Sequence, residues 1–314
     1  MIDILLATYN GERFLAEQMD SILAQSVNDW RLLVRDDGSS DATVINIRRY
    51  AEAFPDKILY IQDDERKLGP TQNFSRLMEC AIAPYVMFCD QDDIWLPDKI
   101  EKSLSKIKEM EMRHGPSTPL LVYTDLSVCD EYGKLVADSY WRFQRINPRV
   151  ALHPASALVQ DNATGNTFIF NRALNDLATP VPPEMIGHDW WVALIALYAG
   201  KIDYLTDRTL RYRQHSGNVS GKKGANWAIL LKKLPAYCLT LQANQRQAAL
   251  LLERLSPDLK KEKKRIVAAF STLSKQYFWV RWFRLLRFRY WAVFDVRILV
   301  KMLFLAFCTK KTRS

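Results

Sequence analysis

Short apolar runs that alternate with helical stripes most restrict the fold of this sequence. Over the first 110 residues, four runs read as strands, and apolar residues recur at helical spacing within 15–23, 44–54 and 74–81. Buried strands separated by helices are typical of a parallel sheet covered on both faces. We therefore predict an α/β fold whose first strands are IDILLAT, RLLVRDD, KILYIQ and YVMFC.

The pattern becomes less regular after residue 115. LLVYTDLSV and GNTFIFN read as strands, and GHDWWVALIALYAG reads as an apolar helix that stops at Gly200. YRQHSGNVSGKKG reads as a strand end that runs into a loop, and long helical patterns take over near Asn226. We predict one unit over residues 1–225 and a helical region over residues 226–314.

Polar side chains follow three of the predicted strands. Because ligands on parallel sheets sit beyond the carboxyl ends of the strands, these residues are expected to meet on one rim. Three polar strand ends together favour a ligand site over three unrelated turns. The strand ends are Thr8, Tyr9 and Asn10; Asp36 and Asp37; and Asp90, Asp92 and Asp93.

The last of these strand ends places three carboxylates where a buried strand stops. Like charges this close raise one another's pKa unless a cation lies among them. The alternative is a solvated turn with an Asp cap on the helix that Pro97 opens. The segment alone leaves both interpretations open.

Composition describes an ordinary globular protein, with 48% hydrophobic and 25% charged residues. Its five cysteines show no ligand spacing, which argues against a disulfide framework and structural zinc and fits a reducing compartment. The N-terminal residues contain no basic leader before an apolar core, so no signal peptide is expected.

Positive charge is concentrated in the C-terminal part of the chain. From Arg254 onward there are 16 Lys and Arg residues and 3 Asp and Glu residues, although the whole chain carries only +9. Residues 276–307 mix Arg with Trp, Tyr and Leu, and the longest uncharged stretch is well short of the ~20 residues of a membrane span. The composition favours attachment to an anionic membrane surface, with a core helix of a small bundle as the alternative.

Four motifs in order resemble a known family. LLATYNG, VRDDGSSD, GPTQNF and FCDQDDIWLPDKI resemble the nucleotide-sugar-binding half of inverting glycosyltransferases of family 2, with the GT-A fold. TGNTFIFNRAL, HDWW and YRQHSGNVSG are most similar to bacterial rhamnosyltransferases of surface polysaccharide (O-antigen) synthesis. The resemblance implies a Rossmann-like, mixed but mostly parallel sheet flanked by helices, over roughly residues 1–220.

The resemblance also implies a cofactor and a donor site. Mg²⁺ or Mn²⁺ would be bound by Asp92, with Asp90 near the metal or the ribose. Tyr9 would border the base, Asp37 would accept from its N3–H, and Asp36 would serve the turn. Ala7 stands where some members carry a hydroxyl residue. Further donor-site residues would be Thr8, Asn10, Lys67, Asn73, Asp93 and Arg213, and His215 would complete the metal site.

Inverting transfer needs a general base, and the family's base matches Asp189. Its alternative role is a helix cap. For Lys67 the alternative is a solvated loop charge, for Arg213 a surface ion-pair partner, and for His215 a structural histidine. The residues expected on the acceptor side are Asn166, His188, Trp190 and Trp191, and the two tryptophans are also plausible core residues.

The implied activity is metal-dependent transfer of L-rhamnose from dTDP-rhamnose to a lipid-linked glycan. The enzyme would act at the cytoplasmic face of the bacterial inner membrane as a peripheral protein. One alternative is transfer of glucose, galactose or an amino sugar from a UDP-sugar. A nucleotidyltransferase is a rival class, but ATYNGERF lacks the expected Gly-rich phosphate loop. A nucleic-acid partner is not expected, because the basic residues form no known binding motif.

Overall fold

The computed structural model describes residues 1–65, 67–215, 234–257, 259–288 and 290. The first part of the chain confirms the predicted alternation of strands and helices. Thr8 pairs with Asp36 and Leu6 with Cys89 across parallel neighbours, so the first, second and fourth strands end at one edge of the sheet. These elements are β1 (Ile2–Thr8), α1 (Leu15–Leu23), β2 (Trp30–Asp36), α2 (Thr43–Ala53), β3 (Ile58–Ile61), α3 (Gly69–Cys80) and β4 (Tyr85–Cys89).

The second part of the chain extends the same sheet in a mixed pattern. Its elements are β5 (Ile94–Trp95), α4 (Lys99–His114), β6 (Leu120–Cys129), β7 (Leu135–Ala137), α5 (Tyr140–Gln144), α6 (Pro154–Ala157), β8 (Ile169–Asn171), α7 (Arg172–Ala178), α8 (His188–Ala199) and β9 (Lys201–Arg213). Short 3₁₀ turns form at Pro148–Val150 and Gly165–Thr167.

Within the described residues, nine strands form one sheet in the order β3-β2-β1-β4-β8-β6-β9-β5, with β7 on β6. β8 is antiparallel to both β4 and β6, and β9 runs parallel to β6. The antiparallel β8 joins the parallel half to the second half. It brings the turn at Gly165–Thr167, directly before β8, beside the carboxyl end of β4.

Helix α8 is apolar around its whole circumference, as a helix buried on all sides should be. Two C-terminal helices, α9 (Leu234–Leu255) and α10 (Lys261–Ser271), contact α8, and α11 (Phe278–Phe288) follows them in the chain. Lys263 Nζ of α10 donates to the carbonyls of Leu197 and Tyr198 at the carboxyl end of α8. The Arg254 guanidinium of α9 lies 5.6 Å from the ring centroid of Trp191.

The C-terminal helices therefore contribute to the same hydrophobic core as the sheet, through residues such as Leu251, Phe270 and Leu285. The predicted boundary near residue 226 lies outside the described residues, as do Arg289, Arg297 and Lys301 of the basic segment. No helix in the described part of the chain is both long and apolar enough to span a bilayer.

Candidate active site

A cavity of about 690 Å³ lies at the carboxyl ends of the parallel strands. Its walls come from both halves of the sheet, since they include the residues after β1 and β4 and the amino end of α8. Ten of the sixteen side chains that the sequence assigns to the site line it: Thr8, Tyr9, Asp37, Lys67, Asn73, Asp90, Asp92, Asn166, His188 and Asp189.

Asp37 lies at one end of the cavity. Its two carboxylate oxygens accept from the backbone N–H groups of Leu68 and Gly69, at 2.9 and 2.8 Å. Each oxygen keeps a second lone-pair position for a ligand. Lys67 is exposed in the same loop, and its N–H donates to the Asp37 carbonyl at 3.1 Å.

The buried Arg35 side chain organises the wall behind Asp37. Its guanidinium donates to both Asp63 oxygens, at 2.8 and 2.7 Å, and to Asn73 Oδ1 at 2.9 Å. It also lies 3.6 Å from Asp37. Asn73 is thus held from behind while it lines the cavity.

Asp36 serves the turn, as expected. It accepts from the N–H groups of Gly38 and Ser39, at 2.9 and 2.7 Å, and from the Thr8 hydroxyl at 2.9 Å. Asn10, with φ of 47°, also stabilises this turn, because its N–H donates to Ser39 Oγ at 2.8 Å. Asn10 does not line the cavity.

Tyr9, which is 52% exposed, is fixed through its backbone. Gln91 accepts from the Tyr9 N–H at 2.9 Å and donates to the Tyr9 carbonyl at 3.0 Å. A Cβ at Gly11 would lie 2.3 Å from Gln91 Oε1, so glycine makes room for this clamp. The clamp joins the ends of β1 and β4.

The carboxylates after β4 occupy different environments. Asp90 lines the cavity, and burial, then the charges of Asp92 and Asp189, raise its pKa to about 7. Asp92 Oδ2 lies 2.8 Å from His215 Nε2. The His215 ring packs against Phe14, with ring centroids 4.8 Å apart.

Asp93 lies beneath the cavity and is fully buried. It accepts from Asn166 Nδ2 and from the Arg213 backbone N–H. Burial, with the charges of Asp92 and Asp90, raises its pKa well above the usual range. Asp93 supports the floor of the cavity.

Arg213 also lies outside the cavity. Its guanidinium donates to Glu17 at 2.5 Å and to the Asp92 carbonyl at 3.1 Å. It stands 4.8 Å from the centroid of the Phe14 ring, which His215 also contacts. In this structure Arg213 positions the segment that carries Asp92 and His215.

Asp189 lies in the first turn of α8 and faces the cavity. Its Oδ2 accepts from the Gly165 N–H at 3.3 Å, and its Oδ1 accepts from the Trp190 N–H at 2.8 Å. A Cβ at Gly165 would lie 2.7 Å from Asp189 Cβ, and one at Gly187 would lie 2.6 Å from Asp189 Oδ1. Two glycines therefore leave the space in which this carboxylate stands.

His188 forms the adjoining wall. Its imidazole stacks on Phe74, with centroids 3.9 Å apart, and meets Phe88 edge-on at 4.7 Å. Burial lowers the pKa of His188 to about 4, although the Asp189 charge opposes this. His188 is therefore neutral at physiological pH.

Trp190 and Trp191 lie in the core, which corrects the expectation that they face an acceptor. Trp190 is 8% exposed and Trp191 is fully buried. Their indole N–H groups donate to the carbonyls of Ala157 and Ala178, at 2.9 and 2.8 Å. The all-round burial of α8 accounts for both positions.

Residues 3–112 match the sequence model of Glycosyl transferase family 2. Residues 3–112 are thus similar to glycosyltransferase family 2, and we call this part of the chain the family 2 domain. The match ends within α4, so the family 2 domain supplies the strand ends through Asp93, while Asn166, Asp189 and His215 follow it.

Curated relatives of the family 2 domain are glycosyltransferases. The chain is 34% identical over 102 residues to the dTDP-rhamnosyl transferase RfbG of Shigella flexneri, which covers 32% of the chain and 35% of RfbG. It is 30% identical over 105 residues to WfgD of Escherichia coli, a UDP-Glc:alpha-D-GlcNAc-diphosphoundecaprenol beta-1,3-glucosyltransferase, covering 33% and 40%. The uncharacterized glycosyltransferase alr2836 of Nostoc is 26% identical over 227 residues, covering 69% and 66%. The matches to RfbG and WfgD span less than half of each relative.

Solved structures show the same fold over most of the chain. S. aureus TarS residues 1–349 with UDP superposes with a TM-score of 0.56 at 18% identity, covering 86% of this chain and 70% of that TarS chain. The mannosyltransferase PcManGT of Pyrobaculum calidifontis, with GDP-Man and Mn²⁺, gives 0.57 at 17% identity, covering 98% and 80%. The family 2 domain and the elements after it thus form one GT-A-like architecture.

The side chains near the end of β4 suit a divalent cation that keeps open coordination positions. Among the described residues, no three carboxylate, imidazole or thiol groups converge into a complete metal cluster. Asp92 and His215 form a pair, and Mg²⁺ sites commonly use one or two protein ligands with substrate phosphates. The raised pKa of Asp90 fits carboxylates that await a positive charge.

Several site residues were not identified from the sequence. Gln91 lies inside the acidic motif after β4, and Arg35 is a charge within an apolar strand, so each carried a local signal. Lys99 is fully buried, and its Nζ donates to the Asn166 carbonyl at 3.0 Å. Lys99 and Phe14 gave no signal, because their contacts join distant segments.

Proposed function

We propose that this chain is an inverting glycosyltransferase that uses a nucleotide-sugar donor and a divalent cation. The observation that carries the proposal is one cavity that contains Asp37, Asp92 and Asp189. A base-recognition carboxylate, a cation ligand and a general base are the three groups that such a transfer requires. The family 2 domain and the shared fold support this assignment.

Asp37 would recognise the base of the donor. A carboxylate oxygen that already accepts one backbone N–H can accept a second donor, here the base N3–H. Tyr9, exposed at the rim, would cover the face of the base. Thymine and uracil present the same N3–H, so Asp37 fits dTDP- and UDP-sugars alike.

Asp92 and His215 would hold Mg²⁺ or Mn²⁺, with Asp90 beside it. The cation, when bound, neutralises the charge that develops on the departing diphosphate. Arg213 and Phe14 keep Asp92 and His215 together, since Arg213 holds the Asp92 carbonyl and Phe14 supports the imidazole. Lys67, exposed at the cavity wall, would contact the nucleotide or the donor sugar.

Asp189 would act as the general base. Its carboxylate removes the proton of an acceptor hydroxyl while that oxygen bonds to the anomeric carbon and the bond from this carbon to the diphosphate breaks. Attack from the side opposite the diphosphate inverts the configuration. The N–H groups of Gly165 and Trp190 fix the orientation of the carboxylate.

L-Rhamnose from dTDP-rhamnose is our proposed donor sugar, supported by the similarity to RfbG and by the motifs after residue 160. Transfer of glucose or another sugar from a UDP donor is the second candidate, favoured by the similarity to WfgD. Neutral His188 and Asn166 would contact sugar hydroxyls on the acceptor side.

The proposed acceptor is a hydroxyl of a lipid-linked glycan in surface polysaccharide synthesis. The relative WfgD acts on a diphosphoundecaprenol acceptor, which supports this class. A membrane-embedded acceptor and the excess of basic residues after Arg254 support a peripheral location at the cytoplasmic face of the inner membrane.

Release of nucleoside diphosphate from a panel of sugar nucleotides tests the proposal, with a lipid-linked acceptor and Mn²⁺ present. We expect release to fall by roughly 10²–10⁴-fold in Asp189→Asn. Mn²⁺ binding, measured by electron paramagnetic resonance in the presence of nucleoside diphosphate, should weaken in Asp92→Asn and persist in Asp189→Asn.

The control variant is Asp176→Asn, because Asp176 is a half-exposed carboxylate paired with Arg172 outside the cavity. Full turnover in Asp189→Asn would show that Asp189 is not the general base. Unchanged Mn²⁺ binding in Asp92→Asn would show that Asp92 does not bind the cation. Turnover with a UDP-sugar and none with dTDP-rhamnose would select the second candidate donor.

A further inference from the structure

Helix α11 turns aromatic and aliphatic side chains toward solvent. Trp279, Phe283 and Leu286 are 79%, 65% and 57% exposed. Their spacing of four and three residues places them on one helix face. Tyr277, directly before the helix, is 85% exposed. We call these four residues the α11 outer face.

The opposite face of α11 contains arginine. Arg281 is only 7% exposed, and its guanidinium donates to the carbonyls of Gln276 and Ser274, at 2.7 and 3.0 Å. Arg284 donates to the Ala269 carbonyl at 3.2 Å and to the Thr272 hydroxyl at 2.8 Å. Carbonyls at the end of α10 and in the following turn therefore hold the arginines inward.

This arrangement differs from the usual surface helix, which buries its apolar stripe and exposes its charges, because here two arginines are bonded inward while three apolar side chains face solvent. Leu285 is almost fully buried, and Phe278 packs on the core, so the helix is docked and its orientation is fixed. The α11 outer face is thus a built feature of the bundle. A cluster of exposed apolar side chains of this kind marks an interaction surface.

The basic residues around the α11 outer face indicate an anionic partner. Lys275 and Arg287 are exposed beside the outer face, and α10 and the residues before it expose Lys260, Lys261, Lys264 and Arg265. From Arg254 to the end of the chain, basic residues outnumber acidic ones by 16 to 3. Aromatic side chains flanked by Lys and Arg are typical of the headgroup boundary of a bilayer. A second copy of the chain would bring the same positive charge and be repelled.

We propose that the α11 outer face inserts into the headgroup region of an anionic phospholipid bilayer. This inference rests on the proposed function in taking the acceptor to be lipid-linked, and it names the side chains that contact the lipid. Trp279 and Phe283 supply the apolar area, and the exposed lysines and arginines on α10 and around α11 attract the anionic headgroups.

Vesicle flotation of the full chain tests this assignment. Vesicles of phosphatidylcholine are compared with vesicles that also contain phosphatidylglycerol, at low and high salt. The test variant combines Trp279→Ser with Phe283→Ser. The matched control combines Tyr132→Ser with Ile82→Ser, because these side chains are 82% and 64% exposed outside α11.

We expect the wild type and the control to float with phosphatidylglycerol vesicles, and the test variant to bind at least roughly tenfold more weakly. Binding should also weaken in high salt and without phosphatidylglycerol. Nucleoside diphosphate release with a short soluble acceptor should be the same in all three proteins. That assay without vesicles reports on the proposed function separately, so the two proposals can fail independently.

Equal flotation of the test variant would overturn the inference. A wild type that fails to float but sediments as a dimer, with the test variant a monomer, would assign the face to a second copy instead. A wild type that fails to float, with a lower melting temperature in the test variant alone, would show that another part of the chain covers the face.

Discussion

Gly165→Ala tests the assignment of Asp189 most directly. Residue 165 has an ordinary backbone conformation, so alanine adds only a methyl group. That carbon would lie 2.7 Å from Asp189 Cβ, whereas ordinary contacts begin at 3.4 Å. Asp189 must therefore retreat by roughly 0.7 Å or more, and its bond from the Gly165 N–H, already 3.3 Å long, must stretch or break.

A displacement of this size in a reacting group costs up to about 10²-fold in rate, or about 2.7 kcal/mol of transition-state stabilisation. We expect kcat for sugar transfer to fall by roughly 10–100-fold, while the KM for the donor stays within about twofold, because the donor end lies at Asp37. The assay is steady-state nucleoside diphosphate release over a range of donor concentrations.

Gly11→Ala is the matched control. Its new methyl group would also be crowded, at 2.3 Å, but by the end of the Gln91 side chain, on the donor side of the cavity. We expect that variant to change the donor KM through Tyr9. Unchanged kcat in Gly165→Ala, in a protein that melts like the wild type, would refute the placement of Asp189 as the base.

Three further variants test the structure itself. Trp191→Phe should lower the free energy of unfolding by about 1–3 kcal/mol, because it removes the indole donor to the Ala178 carbonyl, and should leave the acceptor KM unchanged; urea titration and kinetics measure these. Asn166→Asp should cost about 2 kcal/mol in the same titration, since it replaces the donor to buried Asp93 with a second carboxyl group. His188 has a pKa of about 4 in the fold and near 6.5 when unfolded, so the unfolded chain binds the extra proton between these values. On its own this group should therefore lower stability by on the order of 3 kcal/mol as the pH falls from 6.5 to 4, while the raised pKa values of Asp90 and Asp93 act in the opposite direction over the same range. The measurement is the difference in the free energy of unfolding between the wild type and His188→Gln, which should change in favour of the variant as the pH falls; a difference that does not change with pH would contradict the buried neutral imidazole.

The first half of the fold was readable from the sequence because each strand and helix there is specified by its own neighbours. The apolar runs that end at Thr8, Asp36 and Cys89 became parallel strands, and their polar ends met at one rim. A pattern of period 2 or 3.6 is local information. The rule that strand ends converge then located most of the cavity.

Contacts between distant segments were not readable in the same way. The Arg213 guanidinium pairs with Glu17, which is 196 residues away, and Lys99 reaches the Asn166 carbonyl across the sheet. Neither contact produces a periodic pattern in the sequence. The tryptophans of HDWW were ambiguous for a related reason, because their exposure depends on whether another element covers α8.

The arginines near the C-terminus also show why composition alone was insufficient. Because Arg is seldom fully buried, composition by itself favours an exposed position for Arg281. In the fold it is held inward by the Gln276 and Ser274 carbonyls, and it thereby leaves the outer face of α11 to Trp279 and Phe283. The orientation of Arg281 depends on these two carbonyls, and composition contains no information about them.

The apolar circumference of α8 has a practical consequence for work with this protein. A shortened chain that stops before α9 would leave one side of α8 uncovered, so it would aggregate, and its loss of activity would say nothing about membranes. Because α8 depends on these helices, a chimaera with a relative would have to exchange α8 together with the C-terminal helices that cover it. The sheet, α8 and the C-terminal helices therefore behave as one folding unit.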